Sequence, residues 1–446
     1  MKNTKSSRKH MEKTASFLIE KAKKAGCKQI SAKISKNRSN KVAYRDGKWE
    51  EIKGSTTYGA NVKLYIDGKY ASHSTSDLKK ESLEKFIKEA VTLTRYLEKD
   101  KDRHLPSPDL YPKSKPGNLQ IFDNNIDSLD LAKRKKIAKI AGDSARSHGG
   151  KTLISASSGF GDNYSEYLMV NSNGFTGFEK RTSFYLYAGL SIMDPAGGRP
   201  SDYAVSSTRY LADLTKAPQI GKLAAERTTS RLGARKIKSG KLPVIIENRA
   251  ARRVMAELLS PLSARAFHSK QSCFDKSIGK QIASSKLQLF DNPLLTKGLG
   301  TGYFDSEGIG AKKLSIIKNG KLDNIYVDTY YGTKINMDVT TGDRSNIMVQ
   351  SGKHDLEALL QKLNNGILIT HFNGGNSNST TGDFSHGIKG FLIKNGKRFQ
   401  PIKELNIADN HKTFWKKIQF IGNDPYQPSS YRIPSIMIGP ISVAGK

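Results

Sequence analysis

The chain has 446 residues, with 74 Lys or Arg against 41 Asp or Glu, a formal net charge of +33, and 36% hydrophobic residues. That length exceeds one simple core and predicts two or three domains, and apolar periodic segments along it exclude disorder throughout. The charge would attract nucleic acid, anionic lipid or acidic polypeptide and equally fits a solvated lysine-rich surface, but no helix-turn-helix, zinc-finger or RNA-binding signature makes nucleic acid the expected partner.

Residues 1–10 read as a basic, disordered tail. The N-terminus lacks an apolar run of signal-peptide length, no segment is long enough to span a bilayer, and the two cysteines, Cys27 and Cys273, rule out a disulfide framework. The expected location is therefore the cytoplasm. Residues 11–104 read as an N-terminal α+β domain. A helix over 12–25 places Ala15, Phe17, Leu18 and Ala22 on one face and stops at Gly26. Two strand segments follow, "KQISAKIS" and "VAYRDGKWEEI", with hairpin turns at Asp46-Gly47 and Asp67-Gly68, and a helix fits 78–97. Pro106, Pro108, Pro112 and Pro116 mark a linker over 105–118. A middle α+β domain over 119–238 holds a helix at 130–148, strands about a turn at Asn173-Gly174, a loop in "PAGGRPSDY" and a helix at 217–232. The C-terminal domain, 239–446, opens with the apolar strand "LPVIIEN" and a helix over 249–259 stopped by Pro261. It continues as mostly β, with hairpins about Asn319-Gly320 and Asn395-Gly396, dipeptides that tolerate positive φ at both central positions. The fold class is α+β with antiparallel sheets, and no βαβ run demands a parallel one.

Familiar catalytic signatures are missing. No Gly-x-Gly-x-x-Gly opens a helix, no phosphate loop or Gly-x-Ser-x-Gly elbow occurs, and no two of the nine histidines have helical ligand spacing. His268 and Cys273 lie close enough in sequence for a thiol–imidazole pair or two metal ligands, or for unrelated loop and core positions. His371 and His386 flank a Gly/Asn/Ser/Thr-rich stretch with Asp383 between them, which could make a polar site or cap loops. Nothing in the sequence pairs the acids Glu247, Glu257, Asp305 and Glu307. The rich stretch itself, 370–397, offers side-chain-poor backbone to an approaching chain.

Several blocks are similar to one known family, TldD/PmbA. They are "YRDGKWEEIKGSTTYGANVKLYIDGKYASHSTSD", "VNSNGFTGFEKRTSFYLYAG", "AAERTTSRLGARKIKSGKLPVIIEN", "KGLGTGYFDSEGIGAKKLSIIKNGKLDNIYVDTYYGTKIN", "TTGDRSNIMVQSG", "TTGDFSHGIKGFLIKNGK", "WKKIQFIGND" and "PSIMIGPISVAGK", in that family's order and over nearly the whole chain. The resemblance implies a metallopeptidase family, some members of which are called modulators of DNA gyrase. Its TldD-type subunit holds zinc on a His-Glu-x-x-x-His helix, with a cysteine from near the C-terminus. Here Ala256 and Glu257 stand where His-Glu would be, Pro261 stands at the second histidine, and "PYQPSSYRIPS" lacks the cysteine. The resemblance thus implies a PmbA type, also called TldE, with no metal or cofactor of its own and Glu257 as the motif's one remnant, by default a helix-surface acid. The implied partner is a TldD-type subunit carrying zinc and the implied substrates are unfolded peptides, with pairing of like chains also open. Asn373, Gly374, Gly375, Thr381, Gly382, Asp383 and Ser385 are the candidates for substrate enclosure and subunit contact. A stand-alone hydrolase and a basic nucleic-acid-associated protein are the alternative readings.

Overall fold

The computed structural model describes residues 2–114, 116–195 and 197–446. Residues 2–10, expected as a disordered tail, instead continue the first helix, α1 (Lys2–Lys24). The helix is held down that far because Ser7 donates to Glu166, while Arg8 pairs with Glu12 one turn on at 2.8 Å and lies over the Phe178 ring.

The first half continues with β1 (Gln29–Arg45), β2 (Lys48–Ile66), β3 (Lys69–Thr75), α2 (Lys80–Arg95), α3 (Leu131–His148), β4 (Leu153–Asn171), β5 (Thr176–Ile192), β6 (Ser201–Thr208) and α4 (Ala217–Thr229). One antiparallel sheet runs through all six strands in the order β3-β2-β1-β4-β5-β6. The two regions parsed separately from sequence are therefore joined by the β1–β4 ladder. The polar run 36–41, which split the first strand on paper, belongs to β1. Its residues pair with β2 on one side and β4 on the other, Lys41 meets Glu51 at 2.6 Å, and the Arg38 guanidinium sits over Tyr164. Alternation then sorts the faces. Ile30, Ala32, Ile34 and Leu168 pack under α1 and α2, and Val42, Phe160 and Ala188 pack under α3 and α4. On the opposite face Tyr167 and Met169 meet Phe304 of the second half.

The second half comprises β7 (Gly240–Ile246), α5 (Asn248–Leu259), α6 (Ala264–His268), β8 (Leu289–Asp291), β9 (Leu314–Lys318), β10 (Lys321–Leu322), α7 (Thr329–Ile335), β11 (Ile347–Val349), α8 (Leu356–Leu363), β12 (Gly366–Ser377), β13 (Asp383–Lys394), β14 (Lys397–Asn410), α9 (His411–Phe414), β15 (Ile418–Ile421), β16 (Tyr431–Arg432) and β17 (Ile436–Ala444). Its larger sheet has the order β14-β13-β12-β7-β17-β15, and β14 also pairs β17, so five strands close into a ring. The sheet is not purely antiparallel, because β7 runs parallel to β12. Nothing local signals this pairing, whose partners lie more than a hundred residues apart. β7 is buried on both faces, which explains its unbroken apolar run: Val244 and Ile246 join the main core with α5, and Ile245 packs with Leu359, Leu360 and Leu363 of α8.

The turns at Asp46-Gly47, Asp67-Gly68, Asn319-Gly320 and Asn395-Gly396 all have positive φ at both central residues. Asn173-Gly174 departs from the expectation. Only Gly174 has positive φ there, and four residues separate β4 from β5. Gly390 on β13 is needed for close approach, since a Cβ there would lie 1.8 Å from the Leu368 carbonyl oxygen. Gly390→Ala is expected to lower unfolding stability by about 1–3 kcal/mol in chemical denaturation, and unchanged stability would mean that the hairpin yields freely.

Candidate functional site

Helix α5 buries Ala250, Ala251, Val254, Met255, Leu258 and Leu259. Its other side carries Arg249, Arg253 and Glu257 at four-residue spacing, which aligns them along one face. Arg253 and Glu257 reach β12 and β13, while Arg249 reaches Asp202 on β6. Glu257 is consequently not an ordinary helix-surface acid. Its Oε2 accepts a hydrogen bond from His386 Nε2 at 2.8 Å and its Oε1 accepts one from Arg253 Nε at 2.7 Å. Burial works to raise the Glu257 pKa, but His386 and Arg253 outweigh it and hold the carboxyl below its usual range.

His386 is fully buried, stacked on Phe384 and edge-on to Phe372. Its Nδ1 lies 3.3 Å from the Gly374 carbonyl oxygen. That approach depends on a bulge. The β12–β13 register slips between Asn373 and Asn376, with Gly374 and Gly375 at φ 69° and 105°. A Cβ on Gly375 would fall 2.3 Å from His386 Nδ1, so glycine is required there. The Gly375 carbonyl accepts from Arg253 Nη2 at 3.3 Å. Much of the stretch read as side-chain-poor backbone is thus a strand arm folded against α5.

A second imidazole sits behind the first. His411 Nδ1 accepts from Trp415 Nε1–H at 3.0 Å, and since indole can only donate, the His411 proton is on Nε2 and is donated to Ser377 Oγ at 3.0 Å. Burial pushes the His411 pKa down to about 4. This Ser–His contact has the wrong proton for general-base chemistry: the nitrogen facing the hydroxyl is already protonated.

The residues singled out in sequence fall into separate places. Asn373, Gly374 and Gly375 form the exposed bulge, and Ser385 is exposed beside it on β13. Thr381, Gly382 and Asp383 form a turn pinned by Asn410, whose side-chain amide reaches the Thr381 carbonyl at 3.0 Å and the Asp383 carboxylate at 2.8 Å. His371, Asp383 and His386 do not converge, since each has a different partner. His268 lies beside Tyr331 with the rings tilted, whereas the Cys273 amide is bonded to Ser379 and burial pushes its thiol up to about 11, so the two do not form a reactive pair. Glu247 pairs with Arg249, and Glu307 accepts from Thr329, so these acids have structural partners.

Sequence reading missed a buried cluster centred on Asp202. The loop expected across "PAGGRPSDY" ends early, and Asp202 lies on β6. Its carboxylate receives Arg231 Nε at 2.9 Å, Arg249 Nη1 at 2.9 Å, His371 Nε2 at 3.1 Å and the Tyr203 amide at 2.7 Å. Burial opposes its charge, but His371, Arg249 and Arg231 prevail and set its pKa far below the usual carboxylate range. His371 Nδ1 accepts from Arg231, so this imidazole is neutral, in keeping with the lowering of its pKa by burial. One faint signal was available: Arg231 falls three residues past Thr228, where the apolar face of α4 would continue.

Comparison with known proteins covers the chain from end to end. Residues 32–94, 124–232 and 239–445 match, in turn, PmbA/TldA metallopeptidase domain 1, the PmbA/TldA metallopeptidase central domain and the PmbA/TldA metallopeptidase C-terminal domain. A crystal structure from Bacteroides thetaiotaomicron, described as a modulator of DNA gyrase, is 36% identical, with a TM-score of 0.94 over 98% of this chain and 99% of that one. The chain belongs to the PmbA/TldD family. It is also 27% identical to the metalloprotease PmbA of Escherichia coli O157:H7 over 98% of this chain and 97% of that protein. TldE from Thermococcus kodakarensis shares the fold, with a TM-score of 0.84 at 18% identity over 97% of this chain and all of that one.

As a PmbA/TldD member the chain can be tested for the zinc that the family's metallopeptidases imply. The residues present do not fit it. Ala256 offers a methyl group, Pro261 is buried beyond the helix end, and Glu257 and His386 are bonded to each other. Among the described residues no group of three or more His, Cys, Asp or Glu is placed to hold a metal ion. Nor is any helix among them long and apolar enough to cross a membrane.

Proposed function

We propose that this chain is the PmbA/TldE-type subunit of a two-protein metallopeptidase that degrades or trims unfolded peptides in the cytoplasm, with zinc and chemistry supplied by a TldD-type partner. The observation that carries this reading is the state of Glu257. At the place of the motif's general base it is neutralised by Arg253 and His386 and flanked by a methyl group where a ligand would be. A carboxylate held below its usual range by two cationic or donating neighbours makes a poor proton acceptor. In this reading the C-terminal unit, 239–446, faces the partner. The exposed Asn373–Gly375 bulge and Ser385 form the contact surface, and the Thr381–Asp383 turn supports it. The cysteines are unpaired, which suits a reducing compartment.

The test is co-expression with a TldD-type chain whose His-Glu-x-x-x-His is intact. A stoichiometric complex is expected, with zinc in the partner alone. Glu257→Gln in this chain should leave cleavage of an unfolded substrate unchanged, while loss of the partner's motif glutamate abolishes it. Stoichiometric zinc with peptidase activity in this chain by itself would overturn the reading.

A further inference from the structure

Lys389 stands opposite His371 in the β12–β13 ladder, half-buried between two cavities. One, of about 370 Å³, lies against the sheet of the first half and is lined by Arg45, Ser191, Ser201, Tyr203 and His371. The other, of about 300 Å³, is lined by Arg199, Arg231, Asn373 and Lys403. Among the described residues no hydrogen bond or ion pair reaches the Lys389 ammonium.

The charges lining the larger cavity are otherwise balanced. The carboxylates of Asp202 and Glu247 face the guanidiniums of Arg231 and Arg249, and His371 is neutral. Arg45 is taken by Glu50. Lys389 is therefore the surplus cation of the larger cavity; Arg199 and Lys403, which line only the second, also make no ion pair among the described residues. Half-buried ammonium groups are costly without a counter-charge; burial lowers the pKa of this one and Arg231 repels it further, offset only in part by the Asp202 carboxylate. Across the larger cavity, the hydroxyls of Ser191 and Ser201 face each other in the β5–β6 ladder and have no protein partner among the described residues.

We propose that the groove at Lys389 binds the terminal carboxylate of an extended peptide, with the ammonium as counter-ion and the Ser191 and Ser201 hydroxyls as donors. In the larger cavity that single surplus charge matches a monoanion, whereas a phosphate dianion would leave negative charge beside Asp202. The choice of a peptide as the carrier rests on the function proposed above.

The full chain can be titrated with fluorescein-labelled tetra-alanine as the free acid, as the C-terminal amide, and as an amide with one internal glutamate. The free acid should bind at least about tenfold more tightly than the plain amide, as expected for a charge-assisted contact. Lys389→Met should reduce the acid to the level of the amide. It should not lower the melting temperature, because it removes repulsion with Arg231. The exposed control Lys276→Met should keep the preference. Equal binding of acid and amide, a preference that survives Lys389→Met, no binding of either, or an internal glutamate that matches the free acid would each overturn the site. Capture of a TldD-type partner is read separately. Capture without end discrimination defeats only the carboxylate site, and discrimination without capture defeats only the subunit reading.

Discussion

Asp202→Ala is expected to lower unfolding stability by about 3–5 kcal/mol, the usual consequence of removing one partner from a buried charge cluster. The substitution leaves the Arg231 and Arg249 guanidiniums, whose side chains are only 8% and 9% exposed, facing each other without their shared carboxylate. Arg249 keeps Glu247, whereas Arg231 keeps only the Thr370 hydroxyl and His371 Nδ1, so the damage falls mainly on Arg231. Asp202 comes from β6, Arg231 from just past α4, Arg249 from α5 and His371 from β12. The cluster therefore ties the first-half sheet to the closed ring of the second half. Chemical denaturation of Asp202→Ala alongside Asp213→Ala, which breaks only the exposed pair to Lys297, provides the comparison. If the two variants lose the same stability, the cluster does not hold the halves together. Asp202→Asn should fall between, because it keeps the shape and part of the hydrogen bonding but loses the charge.

What could be read in the sequence was whatever is encoded locally. Asp46-Gly47, Asp67-Gly68, Asn319-Gly320 and Asn395-Gly396 sit at two-residue hairpins because these residue types tolerate positive φ at both positions, whereas Asn173-Gly174 does not follow the rule. The helix read at 12–25 followed from its apolar spacing and the Gly26 stop, and α5 from the Pro261 beyond its end. Local signals failed where a distant strand decides. The polar middle of β1 is a strand because β2 and β4 flank it, and the parallel β7–β12 pairing depends on residues far apart in the chain. The candidate site divides the same way. The absence of histidine at 256 and 261 was visible directly. The fate of Glu257 was not, because its partner His386 lies 129 residues away and reaches it only through the bulge at Gly374 and Gly375. Asp202 was hidden in a segment that reads as a loop, and its four side-chain and backbone donors come from different elements.

The same buried geometry makes His411 a source of pH dependence. Its pKa is pushed down to about 4 in the folded chain, against about 6.5 when unfolded. Protonation must place a hydrogen on Nδ1, where Trp415 Nε1–H already donates, so the fold resists it. Between the two pKa values the unfolded chain binds a proton that the folded chain does not, and stability therefore falls as pH drops through 6.5 and levels off near 4. A shift of that size corresponds to about 3 kcal/mol. Other groups titrate nearby. Asp305, pushed up to about 6 by burial, works in the opposite direction over the same range, since the folded chain takes up its proton first on acidification. His371, also lowered by burial, adds to the His411 effect. Glu257 and Asp202 are depressed carboxylates, so their contribution is lost only as pH falls below the unfolded carboxylate range. The diagnostic quantity is therefore the difference between the parent and His411→Asn, whose amide oxygen can still accept from Trp415 but which cannot titrate. From pH 7 to pH 4 that difference should close by about 3 kcal/mol in denaturant unfolding. Parallel stability curves for the two proteins would show that His411 takes up its proton in the folded state as easily as in the unfolded one.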